Sequence, residues 1–148
     1  MDALFTQDHL SCRMSIRQLN KQVPLMPKVA IVEDNEALAS MYEFKLKNSG
    51  YEVRRAANGA EGLKLVKEFG PDLILLDLRM PVMNGDEMLE RMRSTDHGSN
   101  IRVIILTNIS KDEAPMSLRF LAVDRYVVKA HHTPKQVVDI VGELLAQS

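Results

Sequence analysis

Cys12 is the only cysteine in the 148 residues, so no internal disulfide can form, which fits a reducing compartment. Charge of one sign is also missing. Nineteen lysines and arginines against 20 acids leave a formal net charge of -1, giving no general pull toward nucleic acid or an acidic membrane. No apolar run is long enough to span a bilayer. The first residues lack the basic stretch and continuous apolar core of a secretory signal. These absences point to a cytoplasmic chain whose partners are neither nucleic acid nor membrane. Apolar residues are plentiful at 45%, enough for one domain with a full core, while the length is too short for two ordinary domains.

Along the chain, short apolar runs alternate with helical periods, the signature of βαβ units and a parallel sheet. Strands are expected at 29–32, 51–55, 73–76, 103–106 and 126–128. Between the first two, residues 35–49 carry Leu38, Met41, Tyr42 and Lys45 at helical spacing, with Gly50 placed to end the helix. Further helices are expected at 60–68, stopped by Gly70 and Pro71, and at 86–93. The last helix has the clearest start: Thr133, Pro134 and Gln136 fit an N-cap, a first-turn proline and a capping-box partner. Its apolar face continues through Val137, Ile140, Val141, Leu144 and Leu145.

Four of the apolar runs end in polar side chains of different kinds. The first runs into Glu33 and Asp34, the next into Asp77, then Thr107, then Lys129. On neighbouring parallel strands these residues share the carboxyl edge of the sheet, where doubly wound proteins place their sites. Three ionised carboxylates packed together repel, so one takes a proton unless a cation neutralises them. A divalent ion resolves the conflict. Magnesium suits the cluster because it prefers oxygen ligands and is commonly held by one or two carboxylates plus a phosphate.

Glu33, Asp34, Asp77, Thr107 and Lys129 in that order, with Met80, Pro81, Val82, Met83, Asn84 and Gly85 after the central aspartate, resemble a response-regulator receiver domain of two-component signalling. The likeness covers residues 28–148 and leaves 1–27 as an N-terminal extension. It implies a doubly wound, five-stranded parallel sheet in the order 2-1-3-4-5, the flavodoxin-like receiver fold. It implies Asp77 as phosphoacceptor, Lys129 as a positive charge for the incoming phosphoryl oxygens, and Thr107 as a hydrogen-bond donor to the product. Magnesium would be held by Asp34 and Asp77 directly, by Glu33 through water, and by the backbone carbonyl of Arg79. Two readings stand for Tyr126: core packing, or the aromatic that turns inward on phosphorylation. The domain is then a signalling switch and not an enzyme. Its partners are a sensor histidine kinase or histidine phosphotransfer protein and a downstream protein target, and the chain is a monomer or weak homodimer. With no effector domain after Ser148, a stand-alone regulator is expected. Two other classes are an unphosphorylated receiver-like interaction module and a magnesium-dependent phosphatase with an aspartyl intermediate. Arg79 stands where such phosphatases carry a second acid.

Departures from the family pattern concern the rim of the site. Ala130 follows Lys129 where proline in a cis bond is common, and a non-proline cis bond costs about 2.5 to 4 kcal/mol. Arg79 and Asn108 are placed to lie over the site and alter water access. Asn84 and Gly85 supply positions tolerant of positive φ for the loop after Asp77. Leu121 and Ala122 occupy a turn that often contains glycine. Pro115 is comfortable only in the first turn of a helix, so the fourth helix should begin near Asp112 as its cap, end near Phe120 and be short. In the extension, Leu10, Met14, Ile16, Leu19 and Val23 suggest a poorly periodic amphipathic helix, and Cys12 a redox-sensitive contact.

Overall fold

Successive strand residues point to opposite sides, and in this protein both sides are buried. The computed structural model describes residues 26–147. The expected extension helix and Cys12 therefore lie outside the described residues. Strands β1 (Lys28–Val32), β2 (Glu52–Ala56), β3 (Leu73–Leu76), β4 (Arg102–Thr107) and β5 (Arg125–Val128) form one parallel sheet in the order 2-1-3-4-5, as expected. Val29 and Ile31 enter one core with Leu73, Leu75, Ile104, Leu106 and Val127. Ala30 and Val32 enter the other with Ile74, Leu76, Val103 and Ile105.

Four α-helices cover the faces. Helices α1 (Glu36–Asn48) and α4 (Pro134–Ala146) close the first core with Tyr42, Leu46, Val137, Val141 and Leu144. Helices α2 (Gly59–Phe69) and α3 (Gly85–Arg93) close the second with Val66, Met88, Leu89 and Met92. The end signals act as the sequence suggests. The Thr133 and Gln136 capping box forms reciprocally, with amide donors 3.2 and 2.8 Å from the side-chain oxygens. Gly70 closes α2 in the left-handed region at φ 63°, and Gly50 follows α1 at φ 95°. No helix among the described residues is long and apolar enough to cross a membrane.

The expected fourth helix, capped by Asp112, is absent. Two short 3-10 turns, Lys111–Glu113 and Met116–Phe120, take its place between β4 and β5. The break lies at Ala114, which is extended at φ -67° and ψ 148°. A residue before proline is pushed out of the helical region by the proline Cδ, so Pro115 restricts Ala114 as well as itself. A helix starting at Asp112 would have had to run through Ala114. The segment ends in a tight turn at Ala122, φ 53°. Arg93 holds this turn: its guanidinium donates to the carbonyls of Leu121 at 2.9 Å, Ala122 at 3.0 Å and Gly98 at 3.0 Å.

The loop after β3 also departs from the reading of Asn84 and Gly85 as positive-φ positions. Asn84 has φ -70°, and the positive φ belongs to Val82 at 67°, where the Met83 amide donates to the Pro81 carbonyl at 2.7 Å. The Asn84 side chain accepts from the Met80 amide at 3.2 Å instead. At Gly85 the requirement is space: an added Cβ would come within 2.0 Å of the Asp77 carbonyl oxygen. That contact fixes the start of α3 against the end of β3.

Candidate functional site

The chain order reverses across β1 and β3, which places a crevice at the carboxyl ends of these two strands. The polar residues that end the strands meet there. Glu33, Asp34, Asn35, Asp77, Arg79, Thr107, Asn108, Ile109, Glu113 and Lys129 line a pocket of ≈ 410 Å³. One carboxylate oxygen from each of Glu33, Asp34 and Asp77 lies within 4.8 Å of the others. Glu33, Asp77 and Thr107 are buried, whereas Asp34 is exposed. Asp34 is not the cap of α1. Asn35 caps it by accepting from the Leu38 amide at 3.0 Å, which leaves the Asp34 carboxylate to the pocket.

Lys129 draws the two halves of the sheet together. Its Nζ donates to Glu33 Oε2 at 2.8 Å and to Asp77 Oδ2 at 3.1 Å. The Lys129–Ala130 peptide is trans, and the lysine reaches both carboxylates from a short 3-10 turn, Lys129–His131. Each acid has a second donor: the Asn35 amide to Glu33 Oε1 at 3.1 Å and the Leu78 amide to Asp77 Oδ1 at 2.7 Å. Burial pushes the Glu33 carboxyl above its ordinary range; the Lys129 hydrogen bond opposes this and the Asp77 charge adds to it. Burial alone would lower the Lys129 ammonium, but its bond to Glu33 and the charge of Asp77 prevail and raise it. The two groups rise for different reasons, Glu33 chiefly because it is buried and Lys129 because two acids face it. Two acids share one cation, so the lysine is held charged, while the bond from Lys129 does not offset the burial of Glu33 and the charge of Asp77 beside it.

Three acids beside one lysine suit a divalent ion. The cluster holds oxygen donors of the kind magnesium prefers, close enough to share an ion, with more negative charge than Lys129 neutralises. Glu33, Asp34 and Asp77 are the residues that would hold it, with Arg79 at the pocket wall.

Thr107 brings its side chain to the pocket, and its Oγ1 accepts from the Ile109 amide at 3.4 Å. Arg79 and Asn108 also line it, as their sequence positions suggested. Tyr126 does not. Its hydroxyl donates to the Ile109 carbonyl at 2.8 Å, its ring packs on the second core, and it lines a neighbouring cavity of ≈ 750 Å³ beside the two 3-10 turns. Burial, Asp77 and Glu113 together raise its hydroxyl above the ordinary tyrosine value. Sequence reasoning missed Glu113 and Arg93. No spacing rule links Glu113 to Thr107, and Arg93 read as an ordinary basic residue in the last turn of α3.

The sequence matches the response regulator receiver domain over residues 29–141. The transcriptional regulatory protein AfsQ1 of Streptomyces coelicolor is 38% identical over 104 residues, 70% of this chain and 45% of that protein. The chain thus spans about half the length of several transcriptional regulators it matches. The polar-differentiation response regulator DivK of Brucella anthropi is 34% identical over 116 residues, 78% of this chain and 94% of that protein. Among solved structures, a CheY-like response regulator receiver domain from Methanospirillum hungatei superposes with a TM-score of 0.76 at 26% identity, covering 82% of this chain and 95% of its own. Receiver domains generally bind magnesium in an acidic pocket and interact with histidine kinases or phosphotransfer proteins. Sheet order, a strand-edge pocket with three clustered acids, and the match across most of the chain agree: it belongs to the response regulator receiver family of two-component signalling.

Proposed function

We propose that Asp77 is the phosphoacceptor and that the chain receives a phosphoryl group from a histidine kinase or phosphotransfer protein. The observation that carries this is the pairing of Lys129 Nζ with Asp77 Oδ2 at 3.1 Å, beside Glu33 and Asp34, in the pocket at the carboxyl edge of the sheet. A carboxylate oxygen of Asp77 attacks phosphorus, the bond from phosphorus to the donor's leaving atom breaks, and the electron pair leaves with the donor. The product is an acyl phosphate. Lys129 keeps its proton throughout, as its raised ammonium requires, and can turn a hydrogen bond from Asp77 to a phosphoryl oxygen. The Thr107 hydroxyl supplies a neutral donor to another. Asp34, Asp77, Glu33 and the Arg79 carbonyl would hold magnesium, which supplies charge neutralisation to the transferring oxygens. Asn108 and Arg79 set how readily water reaches the product.

The phosphoryl group would then shift a two-state equilibrium at the β4–β5 side, where Tyr126 and the 3-10 turns sit, and a downstream protein reads the result. The test is intact mass after incubation with acetyl phosphate and magnesium. The native chain should gain one phosphoryl group, and Asp77→Asn should gain none. Failure of the native chain to gain mass, together with failure to bind beryllofluoride, would replace this reading with an unphosphorylated interaction module.

A further inference from the structure

The 3-10 turn Lys111–Glu113 stands between the acceptor pocket and the larger cavity. Glu113 lines the first, whereas Lys111 and Asp112 line the second with Ala114, Met116 and Tyr126. One three-residue element is therefore a wall of both. Its attachment is light: the Glu113 amide donates to the Ser110 carbonyl at 3.0 Å and the Ala114 amide to the Lys111 carbonyl at 3.3 Å. The chain then breaks at Ala114 and Pro115, so the turn can move without unwinding an α-helix. Glu113 is exposed, and its carboxylate has no hydrogen bond or ion pair among the described residues, in contrast to the buried and paired Glu33 and Asp77.

The charges in the pocket give this free carboxylate a consequence. Four acids, Glu33, Asp34, Asp77 and Glu113, face two bases, Arg79 and Lys129; Lys129 is shared by Glu33 and Asp77, and magnesium would be held by Glu33, Asp34 and Asp77, so neither cation is committed to Glu113. A phosphoryl group on Asp77 adds negative charge to the pocket that Glu113 lines. We infer that Glu113 is the charge sensor that converts phosphorylation of Asp77 into movement of the Lys111–Glu113 turn and so reshapes the cavity beside Tyr126. The inference rests on Asp77 being the acceptor. Like charges repel, so the turn carrying Glu113 is driven outward while Arg79 on the other wall is drawn in. Lys111, Asp112 and the loop carbonyls held by Tyr126 move with the turn. The same repulsion opposes phosphorylation, so removing the carboxylate should ease occupancy of the acceptor and uncouple it from the cavity.

The test uses the full chain with magnesium and beryllofluoride, which caps an acceptor aspartate as a phosphoryl mimic. Affinity is measured by titration at low and high salt, and amide exchange is followed across residues 109–121. In the native protein, beryllofluoride should speed exchange at Lys111, Asp112, Glu113 and Ala114. Glu113→Gln should bind about fivefold more tightly at low salt and show little of that exchange change. The affinity gap should close in high salt, where surface charges are screened, an outcome that a loss of packing would not produce. Glu113→Asp, which keeps the charge, should remain close to the native affinity. Equal affinity of Glu113→Gln and native protein at every salt concentration, with the same exchange response, overturns the inference and leaves the acceptor intact. No beryllofluoride binding by the native chain overturns the acceptor reading and this inference with it.

Discussion

The crossovers after β3 and after β4 cover the same face of the sheet, yet they are built differently. The first is α3, which buries Met88 and Leu89 at 0% exposure and Met92 at 1%. The second is two 3-10 turns that bury only Leu118, at 7%, and leave Met116 at 69% and Phe120 at 86% exposed. Both meet the residues of the strand-edge pocket, the first at Asp77 and the second at Glu113. The α3 side fixes Asp77 through the close approach of Gly85 to the Asp77 carbonyl. The β4–β5 side carries Asn108 and Glu113, past the end of β4 at Thr107, on backbone with few bonds of its own. With Asp77 as the proposed acceptor, a phosphorylation switch would gain from this division, because the reacting carboxylate has to stay in place while the surface that reports its state has to move.

The largest effect expected from this contrast is in the core. Leu89→Ala should cost about 3 kcal/mol in urea unfolding, since α3 cannot collapse into the space left behind. Leu118→Ala, on a segment free to relax, should cost about half as much. Equal losses would mean that the second crossover is as firmly built as the first. A smaller effect tests the tie between the two sides, where Lys129 of one pairs with Glu33 and Asp77 of the other. Glu33 has its carboxyl raised above 4.5 in the folded protein, so the folded state holds its proton more tightly than the unfolded chain does. Its contribution to stability therefore improves as the pH falls from neutral through the raised value and levels off below 4.5. Lys129 does not confuse this window, because a raised ammonium loses its contribution only above 10.5. Glu33→Gln should flatten the acid-side rise in urea midpoint measured without magnesium. An unchanged profile would mean that Lys129 already neutralises the cluster.

What the sequence disclosed follows the same division. Parallel strands buried on both faces announce themselves as apolar runs, and the polar residue ending each run has nowhere to go but the carboxyl edge. Glu33, Asp34, Asp77, Thr107 and Lys129 were therefore legible before any coordinates. Thr133 and Gln136 were legible because a capping box is local chemistry. The β4–β5 crossover was not, because its conformation hangs on one backbone angle at Ala114, an alanine that looks helical until Pro115 is weighed against it. Val82 hid its positive φ because a β-branched residue is the last one expected there. Glu113 lines the pocket from a 3-10 turn, which no apolar periodicity in the sequence announces.

The smallest expected effect is the most direct probe of why the two crossovers differ. Pro115→Ala restores a backbone donor and releases Ala114 from the extended region, so the stretch between Lys111 and Phe120 can add helical turns. Alanine also enlarges the freedom of the unfolded chain, which costs about 0.4 to 1 kcal/mol and offsets much of the gain. Net stability should scarcely move. The readout is instead a deeper helical circular dichroism signal and slower amide exchange at Met116, Ser117 and Leu118. If exchange there stays fast, the break belongs to the packing of Leu118 and the clamp of Arg93 on Leu121 and Ala122, and not to the proline. If it slows, a single residue separates a wall that moves from one that does not, and the response of that wall to a charge on Asp77 should weaken in the same variant.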